Sequence, residues 1–283
     1  MSLLITTLRL VPKNALSRAV GGALRVPWPR PVVRAAIGRF SRAYGVHLEE
    51  AEGGPDDWRT FSDFFTRRLK AGLRPLAPGD AAAVSPVDGT VGESGSIAGG
   101  TLVQVKGKRY TTAELLADAA DAREYEGGSF VTLYLAPSDY HRVHAPLAGR
   151  ITGYTYVPGH LWPVNEKGVA EIDRLFAVNE RLITHLETAY GKVALVKVGA
   201  TCVGRIRATY DDVVTNSGRA RGLRRVRYDR PFELQKGAEC GVFEMGSTVI
   251  VLFQARRAAL DPGVRLGAKI RLGRPLARMT LAR

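Results

Sequence analysis

The run Thr248-Val249-Ile250-Val251-Leu252-Phe253 constrains the fold more than any other segment. Six successive residues of strand-forming type, with no polar alternation, read as a buried strand. The run starts directly after Gly246-Ser247, inside Glu244-Met245-Gly246-Ser247-Thr248-Val249-Ile250. Glycine lets the backbone bend there, and the Ser247 hydroxyl can reach the carbonyl just before it. Far upstream lie Ser85-Pro86-Val87-Asp88-Gly89-Thr90-Val91 and Tyr140-His141-Arg142-Val143-His144-Ala145-Pro146. Asp, His and Ser are the parts that make a weak hydroxyl nucleophilic.

Most of the chain after Ala83 reads as strand. Phe130-Val131-Thr132-Leu133-Tyr134-Leu135 is a β run, and residues 193–206 form a longer one with Gly199 and Gly204 as bulges. Thr60 to Lys70 reads as a helix, with Thr60 and Asp63 spaced as a capping box and Gly72 as its stop. Thr111-Thr112-Ala113-Glu114 opens another helix whose buried residues are Leu115 and Leu116. No repeat and no low-complexity tract is visible. The fold class is α+β, with a β-rich barrel or sandwich forming the catalytic domain over 58–283. Residues 1–57 form an amphipathic helical region, and Glu49 to Asp57 within it read as a linker.

That N-terminal region has no acidic residue before Glu49, yet it carries Arg9, Lys13, Arg18, Arg25, Arg30, Arg34, Arg39 and Arg42. Leu4, Leu8 and Val11 share one helical face; Val33, Ile37, Phe40 and Tyr44 share another after Pro31. Two readings are open. The stripes pack on the protein's own core with solvated arginines, or they lie in a membrane interface with the arginines at an anionic surface. Trp28, between two prolines, is an interfacial anchor or a turn residue.

The net charge of +14 across 283 residues suits an anionic partner. Nucleic acid is not expected, because no aromatic-basic interleaving of a known reader is present. Two cysteines, Cys202 and Cys240, make no disulfide framework and read as small buried residues. No segment approaches the ~20 apolar residues that a membrane-crossing helix needs. His47, His160 and His185 show no metal-ligand spacing, so no metal is expected.

The three motifs, in this order, resemble those of the pyruvoyl-dependent phosphatidylserine decarboxylases of the bacterial membrane-associated type. Phe61 to Leu69, Val131 to Gly149, Tyr156 to Asn165, Leu175 to Ile183, Val198 to Gly204 and Gly237 to Phe253 look like family segments. The likeness covers roughly 58–254 and is looser in the basic N-terminus. Met245 stands where many members carry leucine, a swap of similar volume.

The resemblance implies a carboxy-lyase of phospholipid biosynthesis, made as a proenzyme that cuts itself between Gly246 and Ser247. Asp88 would orient His144, His144 would accept the Ser247 proton, and Ser247 would attack the Gly246 carbonyl. The products would be chains 1–246 and 247–283, the second capped by a pyruvoyl group derived from Ser247. Phosphatidylserine would be converted to phosphatidylethanolamine and CO2 through a Schiff base on that group, with His141 assisting decarboxylation or reprotonation. Leu161 and Trp162 would form an apolar wall near the substrate. The implied assembly is a heterodimer of the cut chains, or a homodimer of these, peripheral on the cytoplasmic side of the cell membrane.

Each residue also has a plainer reading. Asp88 before Gly89 suits a turn, His141 a satisfied core histidine, and Gly-Ser-Thr a simple strand entry. A serine hydrolase using Asp88, His144 and Ser247 on an external substrate is the rival enzyme. The segments around Asp88-Gly89 and His144 to Ile151 also resemble biotinyl or lipoyl carrier barrels. No lysine stands at the matching hairpin tip.

Overall fold

A computed structural model describes residues 6, 8, 11–104, 107–201, 205–218, 222–244 and 248–281. Met245, Gly246, Ser247, Cys202, Gly204 and Leu4 lie outside the described residues. The helices are α1 (Lys13–Leu24), α2 (Arg30–Tyr44), α3 (Phe61–Phe65), α4 (Thr112–Leu116), α5 (Ala119–Arg123), α6 (Glu166–Glu171) and α7 (Leu175–Val178). The first strands are β1 (Ala82–Val84), β2 (Gly89–Ser96), β3 (Thr101–Val103), β4 (Arg109–Thr111), β5 (Ser129–Tyr134) and β6 (Arg142–His144). Next come β7 (Gly149–Val157), β8 (Arg181–Thr188), β9 (Gly191–Val198), β10 (Ile206–Ala208) and β11 (Arg224–Leu234). The last are β12 (Glu239–Phe243), β13 (Thr248–Phe253), β14 (Ala258–Leu260), β15 (Lys269–Ile270) and β16 (Pro275–Met279).

Eight strands form the main sheet in the order β11-β7-β8-β9-β13-β5-β2-β15. β13 sits inside it, antiparallel to β9 and β5, with Thr248 opposite both Val198 and Tyr134. Val249 to Phe253 are 0% exposed, because both faces of the strand are covered. Val249, Val251 and Phe253 join one core with Leu276 and Met279 of β16, Val143 of β6 and Phe243 of β12. Ile250 and Leu252 join a second core with Leu115, Leu116, Val169, Leu175 and Phe176 from the short helices. Each such side chain contributes about 1.5–3 kcal/mol by leaving water. The unbroken apolar run is thus a strand sandwiched between a layer of small sheets and a layer of helices.

The α+β class holds, but the main sheet is open rather than a closed barrel. Its edges are β11, whose residues are mostly exposed, and the two-residue β15, and these do not pair with each other. The capping box of Thr60 and Asp63 forms as expected. The helix then ends at Phe65, short of Lys70, because the next residues turn to pair with 50–52. Glu52 N–H donates to Arg68 O at 2.8 Å and Lys70 N–H to Glu50 O at 2.9 Å. The Thr111 and Glu114 box and the buried Leu115 and Leu116 also form as expected. The long run over 193–206 is two strands, since Gly199 bonds out of the ladder to Glu180 and Asn179.

The stripe on α2 packs inward in part. Val33 and Ile37 are buried with Val46, Ala51, Trp58, Phe64 and Phe65 in a third core. Phe40 packs against it, whereas Tyr44 is 53% exposed. Leu16, Val26, Trp28 and Val32 are exposed apolar residues of the same region.

Candidate active site

Asp88 ends the turn between β1 and β2. Gly89 follows because a Cβ there would lie 2.6 Å from Tyr134 O, so only glycine lets β2 approach β5 this closely. The Asp88 carboxylate is 6% exposed and fully bonded. Arg74 donates Nε–H to its two oxygens at 3.0 and 3.1 Å and Nη2–H to Oδ2 at 2.6 Å. Leu272 N–H adds a bond to Oδ1 at 2.7 Å. The same Arg74 Nη2 reaches Glu50 Oε2 at 2.6 Å. Asp88 therefore anchors a buried cluster tying β2 to residue 50 and to the C-terminal strands. A cavity of about 250 Å³ opens beside it, lined by Arg67, Arg74, Asp139, Tyr140 and Arg271.

His144 ends β6, and its backbone N–H donates to Pro86 O at 2.9 Å, next to the Asp88 turn. Its Nδ1 lies 2.7 Å from Gly237 O, an atom that only accepts, so Nδ1 carries the hydrogen. Nε2 is then the acceptor, and the Tyr140 hydroxyl stands 3.2 Å from it. The orienting partner expected of Asp88 is thus the Gly237 carbonyl, while the Asp88 oxygens serve Arg74 and Leu272. Burial outweighs the Gly237 bond and lowers the His144 pKa below its usual value. A neutral imidazole with Nε2 open to a hydroxyl proton is the form a general base needs.

His141 is 0% exposed. Nδ1–H donates to Asp139 O at 2.7 Å, and the Phe65 ring covers the imidazole with centroids 4.1 Å apart. Nε2 has no partner among the described residues. Burial first, and then the Arg67 guanidinium, push its pKa down to about 3. His141 is therefore neutral, with one unused acceptor.

The backbone at both histidines runs beside the strand that leads into the Gly-Ser junction. β12 pairs with β6 antiparallel, with Glu239 opposite His144 and Val242 opposite Arg142. Phe243 N–H donates to His141 O at 2.9 Å. Glu244 precedes the junction and Thr248 follows it, so the flanks of Gly246-Ser247 are fixed by β12 and β13. The structure brings Asp88, His141 and His144 to the same end of the sheet. Ser247 and Gly246, as residues outside the description, have no measured distance to them.

Leu161 is buried and Trp162 half-buried, on a segment held by Asn179. Trp162 N–H donates to Asn179 Oδ1 at 3.0 Å, and Asn179 Nδ2 reaches Trp162 O and Gly199 O at 2.9 Å each. That ties them to the end of β9, the strand beside Thr248. Among the described residues no hydrogen bond or ring contact joins them to either histidine.

Sequence reasoning missed Arg74, the Gly237 carbonyl and Tyr140 as partners. Glu180 was missed too: its Oε1 accepts from Tyr156 OH and Asn216 N–H at 2.7 Å each, and burial raises its pKa. Lys197 on β9 is 0% exposed, donates to the Thr184 hydroxyl, and is lowered to about 8 by burial.

The chain is similar to known proteins along nearly its whole length. Residues 61–278 match the phosphatidylserine decarboxylase family. The phosphatidylserine decarboxylase proenzyme of Anaeromyxobacter sp. (strain K) is 52% identical over 276 residues, covering 97% of each chain. That of Myxococcus xanthus is 49% identical, over 96% of this chain and 97% of its own. That of Brevibacillus brevis is 43% identical over 94% of each. The match takes in Asp88, both histidines, the junction and β13 in one stretch, and the chain belongs to the phosphatidylserine decarboxylase family.

Proposed function

We propose that the chain cuts itself between Gly246 and Ser247 and then converts phosphatidylserine to phosphatidylethanolamine and CO2. The observation that carries this reading is the register of β6 on β12, which sets both histidines beside the strand entering the junction. His144 Nε2 takes the Ser247 hydroxyl proton, and Oγ bonds to the Gly246 carbonyl carbon. The Gly246–Ser247 amide bond breaks as the nitrogen takes that proton, leaving an ester. Removal of the Ser247 α-proton expels the Gly246 carboxylate from Cβ. Water then displaces the nitrogen as ammonia, and chain 247–283 begins with a pyruvoyl group.

A small keto-acyl cap fits this place. Thr248 is 1% exposed and its hydroxyl has no partner among the described residues, like His141 Nε2. The Thr248 hydroxyl, on the residue next to the new terminus, is a buried donor available to a carbonyl there. The pyruvoyl group supplies the electron sink that amino-acid decarboxylation needs. Around it, His141 Nε2 is an unprotonated acceptor without a partner among the described residues, which suits assisting the loss of CO2 by accepting a hydrogen bond from the substrate. A groove of about 1000 Å³, lined by Val91, Tyr134, Val164, Val169 and Leu266, offers an apolar wall for a lipid. It starts at Tyr134, the register partner of Thr248.

The protein is peripheral on the cytoplasmic face of the cell membrane. Among the described residues no helix is long and apolar enough to cross a bilayer. Exposed Trp28 at 52% and Val32 at 54%, amid arginines, support interfacial attachment. The cut chains form the heterodimer, and a homodimer of these is the larger assembly. Residues 1–57 carry the attachment and 58–283 the chemistry, with α3 packed on the first.

The test is the intact mass of the small fragment together with CO2 release from phosphatidylserine vesicles. The expected mass is residues 247–283 with a pyruvoyl terminus, and Ser247→Ala should remain one uncut, inactive chain. A wild-type chain that is active while holding an ordinary Ser247 would overturn the reading. Trp28→Ser with Val32→Ser should weaken binding to anionic vesicles, and unchanged binding would remove the attachment role.

A further inference from the structure

Glu244, the last described residue before the junction, is held from three directions. Its backbone N–H donates to Arg205 O at 3.0 Å. Arg25 Nη1 donates to its Oε2 at 2.9 Å, and Arg205 Nε lies 3.1 Å from Oε1. The Glu244 side chain is 14% exposed, against 36% for Arg25 and 35% for Arg205. One carboxylate thus sits between two guanidiniums that come from distant parts of the chain.

Arg25 is the residue on which α1 ends. That helix is pinned to the catalytic domain along its length. Lys13 Nζ stands 3.8 Å from the Trp162 ring centroid, and Asn14 Nδ2 donates to Gly159 O at 2.9 Å. Arg18 Nη1 donates to Asn216 Oδ1 at 3.0 Å. Arg25 on Glu244 is the last of these attachments. A helix serving only to meet lipid has no need to spend its arginines on the protein beneath it.

We infer that Arg25 and Arg205 clamp Glu244 and so position the Gly246–Ser247 bond for self-cleavage, making α1 part of the maturation machinery. The inference rests on the self-cleavage reading of that bond. Attack within one chain is fast only when the reacting atoms are held at near-contact geometry, and a misplacement of ~1 Å can cost ~100-fold. Downstream, Thr248 is fixed as the first residue of a buried strand. Glu244 is the nearest described residue upstream, and the clamp fixes the chain from that side. Arg25, Arg205 and Glu244 are positioning residues, since none of them need touch the reacting atoms.

The experiment follows cleavage of pulse-labelled full-length chain in cell-free translation, at low and high salt. Arg25→Gln and Glu244→Gln should each cut roughly two- to fivefold more slowly, the range of a partly exposed charged bond. The double variant should be no slower than Glu244→Gln alone, because the two changes remove one interaction. Arg25→Lys should recover most of the rate. High salt should slow the wild type more than Arg25→Gln, which retains only the Arg205 pair. Arg25→Gln cutting at the wild-type rate, or effects of the two substitutions that multiply, would overturn the clamp. So would a slow Arg25→Gln that Arg25→Lys fails to rescue and whose melting temperature falls in a Ser247→Ala background, since that marks a structural loss. A wild-type fragment that does not begin at residue 247 would instead refute the self-cleavage reading itself.

Discussion

Replacing His141 by asparagine separates the acid sensitivity of this histidine from that of every other group. The introduced side-chain amide can donate to Asp139 O as Nδ1 does, so the main change is the loss of a titrating ring. In the folded chain His141 is held at about 3, against an ordinary 6.5. The sign follows from proton uptake. Above pH 6.5 neither the folded nor the unfolded state binds the proton, and His141 has no effect. As pH falls below 6.5, the unfolded chain takes up a proton that the folded one refuses, so the folded state loses stability until about pH 3. Between pH 8 and pH 5 that amounts to roughly 1.5 pKa units, or ~2 kcal/mol at 1.36 kcal/mol per unit. Urea unfolding of the Ser247→Ala chain keeps one polypeptide and one transition. Subtracting the His141→Asn series from its parent cancels His144, His185 and the carboxylates. The parent should lose ~2 kcal/mol more than the variant over this range. A difference that stays flat, or has the opposite sign, would mean that His141 is not held neutral by its burial, and its role as an unprotonated hydrogen-bond acceptor would go with it.

Other outcomes follow from the same partners. Arg74→Met leaves Asp88 and Glu50 buried without their shared cation and should cost about 3–5 kcal/mol in urea unfolding, with Arg74→Lys recovering only part. Lys197→Met removes a buried amine and should raise stability at pH 7, where the folded chain bears the penalty of keeping that amine charged. Its advantage should shrink as pH rises from about 8 toward 10.5, since the folded amine deprotonates first; an advantage that grows would contradict the lowered pKa. Tyr140→Phe takes the hydroxyl from His144 Nε2 while Gly237 still fixes the ring, so self-cleavage on a denaturing gel should slow by less than ~10-fold. A block as complete as that of Ser247→Ala would give Tyr140 a direct part in proton transfer.

What the sequence made legible was local. Thr60 with Asp63 and Thr111 with Glu114 announce helix starts because a capping box closes within four residues. The run from Thr248 announces a buried strand because burial on both faces leaves no polar alternation. The motif residues were legible through resemblance, and Asp88, His141 and His144 do gather at one end of the sheet. Their partners were not legible. The Gly237 carbonyl that orients His144 is 93 residues away, and any residue type could supply that oxygen. Arg74 lies in a loop whose periodicity says nothing about Asp88. The α2 stripe showed an apolar face, yet only packing shows Val33 and Ile37 turned inward while Trp28 and Val32 face out. The choice between barrel and sandwich was left open for a related reason, because alternation within strands does not say whether the two edge strands meet.

The interior position of β13 decides what a nick at Gly246–Ser247 can do to the molecule as an object. The shorter product would own a strand hemmed by β5 and β9, while its β15 and β16 are stitched to β2 and β1 of the longer one. Severing the backbone frees two ends but unpicks none of these seams. The two pieces stay interlaced like fingers of clasped hands, and dilution alone should not part them.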